Sequence, residues 1–442
     1  MKPLLLRLMA IFHQQLKQSV LWRGLYFVSL FLLNIFLSRF LKADGIGFIY
    51  YLANLFSLFV LIGSFNMDGS FTYFSASKKI HHNQLASVAI IWTIIIGVLS
   101  FLLLPQYFNH FDNKVLATGV NSSMIGFYYL VGILLMNYCT ALFYSLGNFF
   151  LPNLILGISN ILFIGLIFFG WQTNASASAI INDYFLLIFL QGLALAIAFF
   201  LKNQSIQSIS LLNRSQLKQL LKYSAIGLTG NFIFFFVYRI DYWFVKEWCH
   251  QTGDLGNYIQ ASKLSQMLLI LPQILASSIF PQMASGEQKE LVISSIGSLF
   301  RLFLILYLIL FIAVFLFGKW AFPNVFGNSF TTMYYPVLIL LPGIFCLSFS
   351  ALLSAYFSGK KQNKYNIYAA IFALIVMIFS SLLLKEKYNI KIAALISTIA
   401  YCCEALYCFI IFSKQEKINL KHFFAFSIED FNWIKKIFTT TK

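Results

Sequence analysis

Apolar runs of about 20 residues recur along the chain, separated by short polar stretches. They fall at roughly 21–41, 46–65, 84–104, 124–146, 151–170, 180–201, 222–245, 262–282, 294–318, 333–357, 365–384 and 391–412. A membrane-crossing helix needs about 20 mostly apolar residues, so the pattern predicts twelve spans and an all-α, polytopic membrane protein. Twelve spans use about 240 residues, and the remaining connections are too short for a large soluble catalytic domain. The longest internal connection, about residues 202–221, holds Lys202, Arg214 and Lys218 among Ser, Gln and Asn, with Lys222 just beyond. It separates an N-terminal six-helix lobe, 1–201, from a C-terminal six-helix lobe, 222–412. The tail 413–442 is basic with interleaved Phe423, Phe424, Phe426, Phe431, Trp433 and Phe438. That is the pattern of an amphipathic helix lying on anionic headgroups.

Composition agrees with the spans. Of 442 residues, 60% are hydrophobic and 10% charged, against roughly 25% charged in soluble domains. A soluble fold has no way to cover that much apolar surface. The net charge is +17, from 31 Lys and Arg against 14 Asp and Glu. Because the basic residues lie between apolar runs, they read as a topology signal rather than a nucleic-acid surface. About two thirds of them fall on the side that holds both termini, which predicts cytoplasmic termini and an inner-membrane, multi-pass protein. The stretch Met1–Arg23 has only a short apolar run, Leu4–Phe12, and no small-residue cleavage site. Leu25–Phe40 is therefore expected to be a retained span. Most of the cysteines lie inside apolar runs, and the adjacent His81 and His82 lack metal-ligand spacing. Neither a disulfide framework nor a metal site is expected, and no cofactor motif is present.

Two turns hint at an internal repeat. After the first span the chain reads Ala43-Asp44-Gly45-Ile46-Gly47-Phe48, and after the seventh Gly253-Asp254-Leu255-Gly256-Asn257-Tyr258. Aligning Gly47 with Gly256 places a turn and a helix start at the same point of each half, as in parallel duplication of a six-helix unit.

At these turns the chain resembles a known family. Leu37-Ser38-Arg39-Phe40-Leu41-Lys42-Ala43-Asp44-Gly45-Ile46-Gly47 resembles the span-one exit of bacterial polysaccharide flippases. Gly63-Ser64-Phe65-Asn66-Met67-Asp68-Gly69-Ser70 resembles their glycine-bearing turn after span two. Tyr238-Arg239-Ile240-Asp241-Tyr242 resembles their span-seven Arg-x-Asp segment, and Asp254–Leu264 the Gly-x-Tyr helix start that follows. Phe280-Pro281 and Phe326-Gly327-Asn328-Ser329-Phe330 also fit, so the resemblance runs in order over about residues 15–412. It points to the Wzx-type flippases of the multidrug/oligosaccharidyl-lipid/polysaccharide exporter (MOP) superfamily. The resemblance implies a two-lobed, MATE-like transporter of undecaprenyl-pyrophosphate-linked oligosaccharide. It also implies membrane lipids, and a polysaccharide polymerase with other assembly proteins, as partners. The lipid II flippases look similar but typically carry two further C-terminal spans, and this chain ends after the twelfth.

Moving a pyrophosphate through hydrocarbon needs cationic partners, because an unpaired anion there costs several kcal/mol. Charged residues inside spans are therefore the candidates. Arg239 lies about 17 residues into span seven, ~25 Å along it, and a guanidinium matches phosphate oxygens bidentately. Its other reading is pairing with an acid or snorkelling to the interface. Asp241 is about 200° further around the helix, so it does not share a face with Arg239; it holds a neighbouring helix or a coupling cation. Arg39 sits near the outer end of span one, where snorkelling competes with cavity lining. Arg23 and Lys222 open spans one and seven and either meet an incoming headgroup or set topology. Glu404 is an acid well inside span twelve, a coupling site for a proton or sodium ion or else a neutral structural acid. Asn34, Asn54, Asn137, Asn160 and Asn231 are expected mostly to hydrogen-bond between helices.

The reading is a non-enzymatic flippase working by alternating access for O-antigen, capsule or exopolysaccharide assembly. A multidrug/cation antiporter of the same superfamily is the first alternative. The basic lean of the span charges, with no acid in span one, argues against it. A membrane polysaccharide polymerase is the second. The short outer loops without Asp-x-Asp argue against that. No Walker motif is present, so direct ATP use is not expected.

Overall fold

The computed structural model describes residues 2–111, 122–203, 212–251, 253–285 and 289–426. Part of the expected 202–221 connection, and Phe431, Trp433 and Phe438 of the tail, lie outside them. So do the side chains of Phe280 and Pro281. The described residues form helices with no strand. In chain order these are α1 (Lys2–Ser64), α2 (Met67–Ala76), α3 (His82–Phe111), α4 (Ser122–Ser145), α5 (Phe150–Gln172), α6 (Ala177–Asn203) and α7 (Arg214–Trp248). They continue with α8 (Asp254–Met267), α9 (Ile270–Ser285), α10 (Lys289–Phe326), α11 (Tyr334–Gly359), α12 (Lys364–Leu383), α13 (Ile390–Glu416) and α14 (Leu420–Phe424).

Ten stretches within these helices are long and apolar enough to cross a membrane. One of them, Gln18–Ser64, supplies two crossings, because α1 is broken at Lys42 (φ 58°, ψ −175°). Asn34 hydrogen-bonds to Tyr50. These residues lie eight positions either side of Lys42 and would be ~24 Å apart in a straight helix, so the two halves fold back on each other. The helix pair α8 and α9 is long enough for one more crossing. Twelve spans result, at the places the apolar runs predict.

Span two is broken at Phe65 and Asn66, both left-handed (φ 50° and 53°), and resumes as α2. The Gly63–Ser70 segment is thus a break with helix on both sides rather than a plain turn. A helix end inside a bilayer must find partners for its last carbonyls. Here Trp92 Nε1 of α3 donates to Gly63 O at 2.7 Å, and Tyr138 Oη of α4 donates to Ser64 O at 3.0 Å. Span eight is interrupted more gently at Leu268–Leu269, where the backbone stays right-handed (Leu268 φ −65°) and tightens to i→i−3 hydrogen bonds on Ser265 O and Gln266 O. The apolar run there marked only its inner part, 262–282, whereas the helix starts at Asp254 after Gly253 at φ 80°.

By contacts the chain divides into two compact units, 1–232 and 233–442, and the division falls inside α7. In the first unit the opening half of α7 lies along α2. Ser224 and Ser70 hydroxyls are 2.6 Å apart, Tyr223 stacks on Tyr73 at 4.7 Å, and Asn231 Nδ2 donates to Asn66 Oδ1 at 2.7 Å. Each unit uses the same packing plan. The most extensive contact is α4 on α6 in the first and α11 on α13 in the second, that is, the fourth span on the sixth. A glycine permits each approach. A Cβ on Gly132 of α4 would lie 2.5 Å from Ile188 O of α6, and one on Gly343 of α11 would lie 2.9 Å from the Thr398 Cα of α13. The two glycines stand ten and nine residues into their helices, so the repeat hinted at by two turns extends to this contact.

Polar groups inside the first unit are mostly tied between helices. Gln191 Nε2 of α6 donates to Asn160 Oδ1 of α5 at 2.8 Å, and Asn160 Nδ2 donates to Ser29 Oγ of α1 at 3.0 Å. Among the described residues of this unit, Ser38 Oγ, both amide atoms of Asn54 and Asn148 Nδ2 are buried without a hydrogen-bond partner, while Asn137 is exposed. In the second unit Lys360 and Glu416 form an ion pair at 2.9 Å that joins the ends of α11 and α13. Arg301 Nη1 of α10 donates to Phe423 O of α14 at 2.6 Å, which ties the start of the tail to the bundle.

Candidate functional site

The charged cluster of the second unit grows from α7, α8 and α13. Along α7, Tyr238 and Asp241 share one face and Arg239 and Tyr242 another, each pair three residues apart. Along α8, Tyr258, Ser262 and Gln266 recur every four residues. Along α13, Ser397, Tyr401 and Glu404, spaced four and then three residues apart, lie on one face.

Asp241 is 1% exposed. Its Oδ2 accepts from Tyr258 Oη at 2.5 Å and from Ser397 Oγ at 3.0 Å, so one carboxylate joins three helices. A 2.5 Å O–H···O contact is in the range of bonds to an ionised acceptor. The other oxygen, Oδ1, has no hydrogen-bond partner among the described residues. Beside it Tyr242 stands edge-on to Tyr258 and donates to Ser262 Oγ at 3.0 Å, which also accepts from Gln266. Both readings of Asp241 thus have a counterpart: it does hold neighbouring helices, and a second oxygen is left over.

Arg239 is half-buried and lies 5.9 Å from the centre of the Tyr242 ring. Lys263 of α8, also half-buried, is its electrostatic neighbour. Two basic side chains, one on α7 and one on α8, therefore lie in one part of the second unit, where a dianion would favour their charged forms. Lys263 was missed by the sequence reading, which placed it at the edge of span eight. The Gly253-Asp254 turn, which starts the helix ten residues earlier, was the signal that puts it inside.

Glu404 is buried and its Oε2 has no hydrogen-bond partner among the described residues. It acts electrostatically on Tyr238 and Tyr401, whose rings lie 6.1 Å apart. The remaining candidates belong to the first unit. Arg23 is half-buried with its guanidinium 5.5 Å from the Tyr144 ring centre, next to Trp22, which meets Phe150 edge-on. Arg39 and Lys222 are exposed. Among the described residues no group of three or more His, Cys, Asp or Glu is placed to hold a metal ion.

Solved structures share this architecture. The lipid II flippase MurJ, in an inward closed conformation, matches 95% of this chain and 92% of its own with a TM-score of 0.69 at 15% identity. An inward-facing multidrug resistance MATE family transporter matches 89% of this chain and 96% of its own, at 0.65 and 15%. A MOP superfamily transporter from Pyrococcus furiosus matches 91% and 95%, at 0.59 and 13%. The fold is that of the MOP-superfamily transporters. No protein-family profile matches the chain, and no curated protein does. At such identities the likeness fixes the helix arrangement and a multi-pass membrane protein. The substrate has to be argued from the residues.

Proposed function

We propose that this chain is a flippase for a lipid-linked glycan, moving undecaprenyl-pyrophosphate-linked oligosaccharide from the cytoplasmic to the outer leaflet of the inner membrane. The observation that supports the reading is the presence of two basic side chains, Arg239 and Lys263, on α7 and α8, neighbouring helices of one unit that Asp241 and Tyr258 join. Like charges inside a membrane-spanning bundle repel and lose hydration, and a bound pyrophosphate offsets both costs. The lipid tail stays in the bilayer while the headgroup meets these cations. MurJ, with the same fold, is a lipid II flippase, which makes an amphiphile of this kind a substrate the architecture accommodates. Arg23, Lys222 and Arg39 are proposed as further cationic contacts along the path. Asp241, whose Oδ1 has no side-chain hydrogen-bond partner among the described residues, and Glu404 are proposed as sites for a coupling ion. Transport proceeds by alternating access, with the two six-helix lobes rocking against each other. Both termini are cytoplasmic, a surface-polysaccharide polymerase takes the product, and no chemical step is catalysed.

The test is to deplete the protein in cells and analyse their lipid extract by mass spectrometry, with leaflet assigned by glycosidase access in sealed vesicles. A lipid-linked glycan trapped on the cytoplasmic leaflet is the expected result. Arg239→Ala and Lys263→Ala, inserted at normal levels, should each trap the same intermediate. Unchanged lipid-linked pools with altered drug sensitivity would replace this reading with a multidrug antiporter. Single units exposed outside but unpolymerised would make the chain a polymerase.

A further inference from the structure

An apolar groove runs along the membrane-facing side of the first unit. Its floor is a stripe of α4, Phe127, Val131 and Leu135, at helical spacing. One wall is α3 and the other is α6, through Phe189, Leu193 and Ala196. Its main cavity is about 590 Å³, within the usual range for a small-molecule site. A second cavity of about 420 Å³ continues it toward the α6 C-terminus and shares Ile90 and Ala196 with the first. The groove exists because α4 and α6 are drawn together at Gly132 and Gly192, while α3 packs on α4 through Gly97, whose added Cβ would meet Val131 at 3.1 Å.

Two features say what fills it. The first is length. Along α3 the lining runs from Ser87 to Leu102, ~22 Å at 1.5 Å per residue. One leaflet offers about 15 Å of hydrocarbon. The occupant therefore continues past the midplane, which the acyl tail of a phospholipid does not. The second is charge at one end. The second cavity stops at Leu201, next to exposed Lys202, and His82 meets Phe199 at 6.4 Å where α3 begins. Exposed Lys78 precedes that start, followed by Lys79, whose ammonium donates to Tyr73 Oη at 3.0 Å. Between Asp68 and Asp183 the chain has one acid, Asp112, and between Asp183 and Asp241 it has none. A basic collar without acidic counterparts complements an anionic head.

We propose that this groove holds the polyprenyl chain of a lipid phosphate, with the phosphate at the Lys202 end before the headgroup crosses. The inference rests on the lipid-linked reading above and adds where the tail lies. The chain would be held against the first unit while the headgroup crosses, which keeps the amphiphile attached during transport.

The test uses the full-length protein in nanodiscs, with undecaprenyl phosphate and phosphatidylglycerol at equal mole fraction and native mass spectrometry as readout. Retention of undecaprenyl phosphate at least tenfold above phosphatidylglycerol is expected. Ala196→Trp, which fills the point common to both cavities, should lower it at least tenfold and leave phosphatidylglycerol unchanged. Equal retention of the two lipids, or no effect of Ala196→Trp in a folded protein, overturns the proposal. A photoreactive undecaprenyl phosphate on the unsubstituted protein gives a readout free of folding effects. Adducts on α3, α4 and α6 support the groove, and adducts spread evenly over helices such as α10 and α12 overturn it. Loss of the groove with glycan still trapped in Arg239→Ala cells would leave the flippase reading standing. Tail binding as expected without any trapped glycan would refute the flippase reading alone.

Discussion

Asp241 gives the sharpest test of how the second unit is held together. Tyr258→Phe removes the donor at 2.5 Å and keeps the ring edge-on to Tyr242, 6.1 Å away. Ser397→Ala removes the donor at 3.0 Å. A hydrogen bond to a charged group contributes about 1.5–3 kcal/mol. The shorter contact belongs at the upper end, so Tyr258→Phe should cost about 3 kcal/mol and Ser397→Ala about 1.5 kcal/mol. Because Oδ1 has no partner already, the double variant leaves a buried carboxylate with neither donor and should lose more than the sum. Asp241→Asn changes the arithmetic. A neutral interhelical hydrogen bond in a membrane protein averages about 0.6 kcal/mol, so Tyr258→Phe in that background should cost about that much. The coupling between positions 241 and 258 is then about 2 kcal/mol. The assay is reversible unfolding in mixed micelles for the four members of the cycle. An equal loss from Tyr258→Phe in both backgrounds would mean that Asp241 is not a charged acceptor, and the three-helix tie would have to be discarded.

Glu404→Gln should raise the unfolding temperature in detergent, since it replaces a buried carboxyl whose Oε2 has no hydrogen-bond partner among the described residues; a clear drop would show that the carboxyl is paired. The same variant should abolish the dependence of transport on a proton or sodium gradient if Glu404 couples, and intact dependence would assign coupling elsewhere. Gly192→Val should destabilise by about 1–3 kcal/mol, because even its Cβ would lie 2.5 Å from Gly132 O; unchanged thermal stability would contradict the close approach of α4 and α6. Asn160→Leu should cost up to about 1.7 kcal/mol by cutting the link from Gln191 to Ser29, read as a lower melting temperature with transport retained.

The spans were legible because a bilayer demands long apolar runs, and each of the twelve runs lies on helix. The breaks inside spans two and eight were not. A hydropathy window averages over two residues, and the groups that make the first break tolerable, Trp92 and Tyr138, come from distant parts of the chain. The site shows the same division. Arg239 and Asp241 stood out as charges in a span, and their angular separation already implied different partners. Lys263 was hidden by a boundary: polar residues Asn257, Gln260, Ser262 and Ser265 lower the hydropathy of α8, yet all four are buried. Polar residues buried between helices look like a loop to a hydropathy scale.

The distribution of acids bears on where energy enters. In the first unit Asp44 and Asp183 are exposed near helix ends. Asp68 opens α2, ~37 Å along the helical path from Ala43, past the ~30 Å hydrocarbon core. Among the described residues the buried acids, Asp241 and Glu404 inside spans and Asp254 at the start of α8, belong to the second unit. Under the proposed coupling, an ion held by one of these carboxylates would bind in the second unit. Asp241 lies on α7, the helix in which the division between the units falls. Its opening half is fixed to α2 through Ser224, Tyr223 and Asn231, and its closing half to α8 and α13 through Asp241. An ion at Asp241 Oδ1 would compete for the charge that Tyr258 and Ser397 now share. It would thereby loosen or tighten one end of a continuous helix whose other end is packed on the first unit. Ion binding should then change hydrogen exchange near Asn231 and Ser224 as well as near Asp241, and an effect confined to residues 238–262 would separate ion occupancy from movement of that helix.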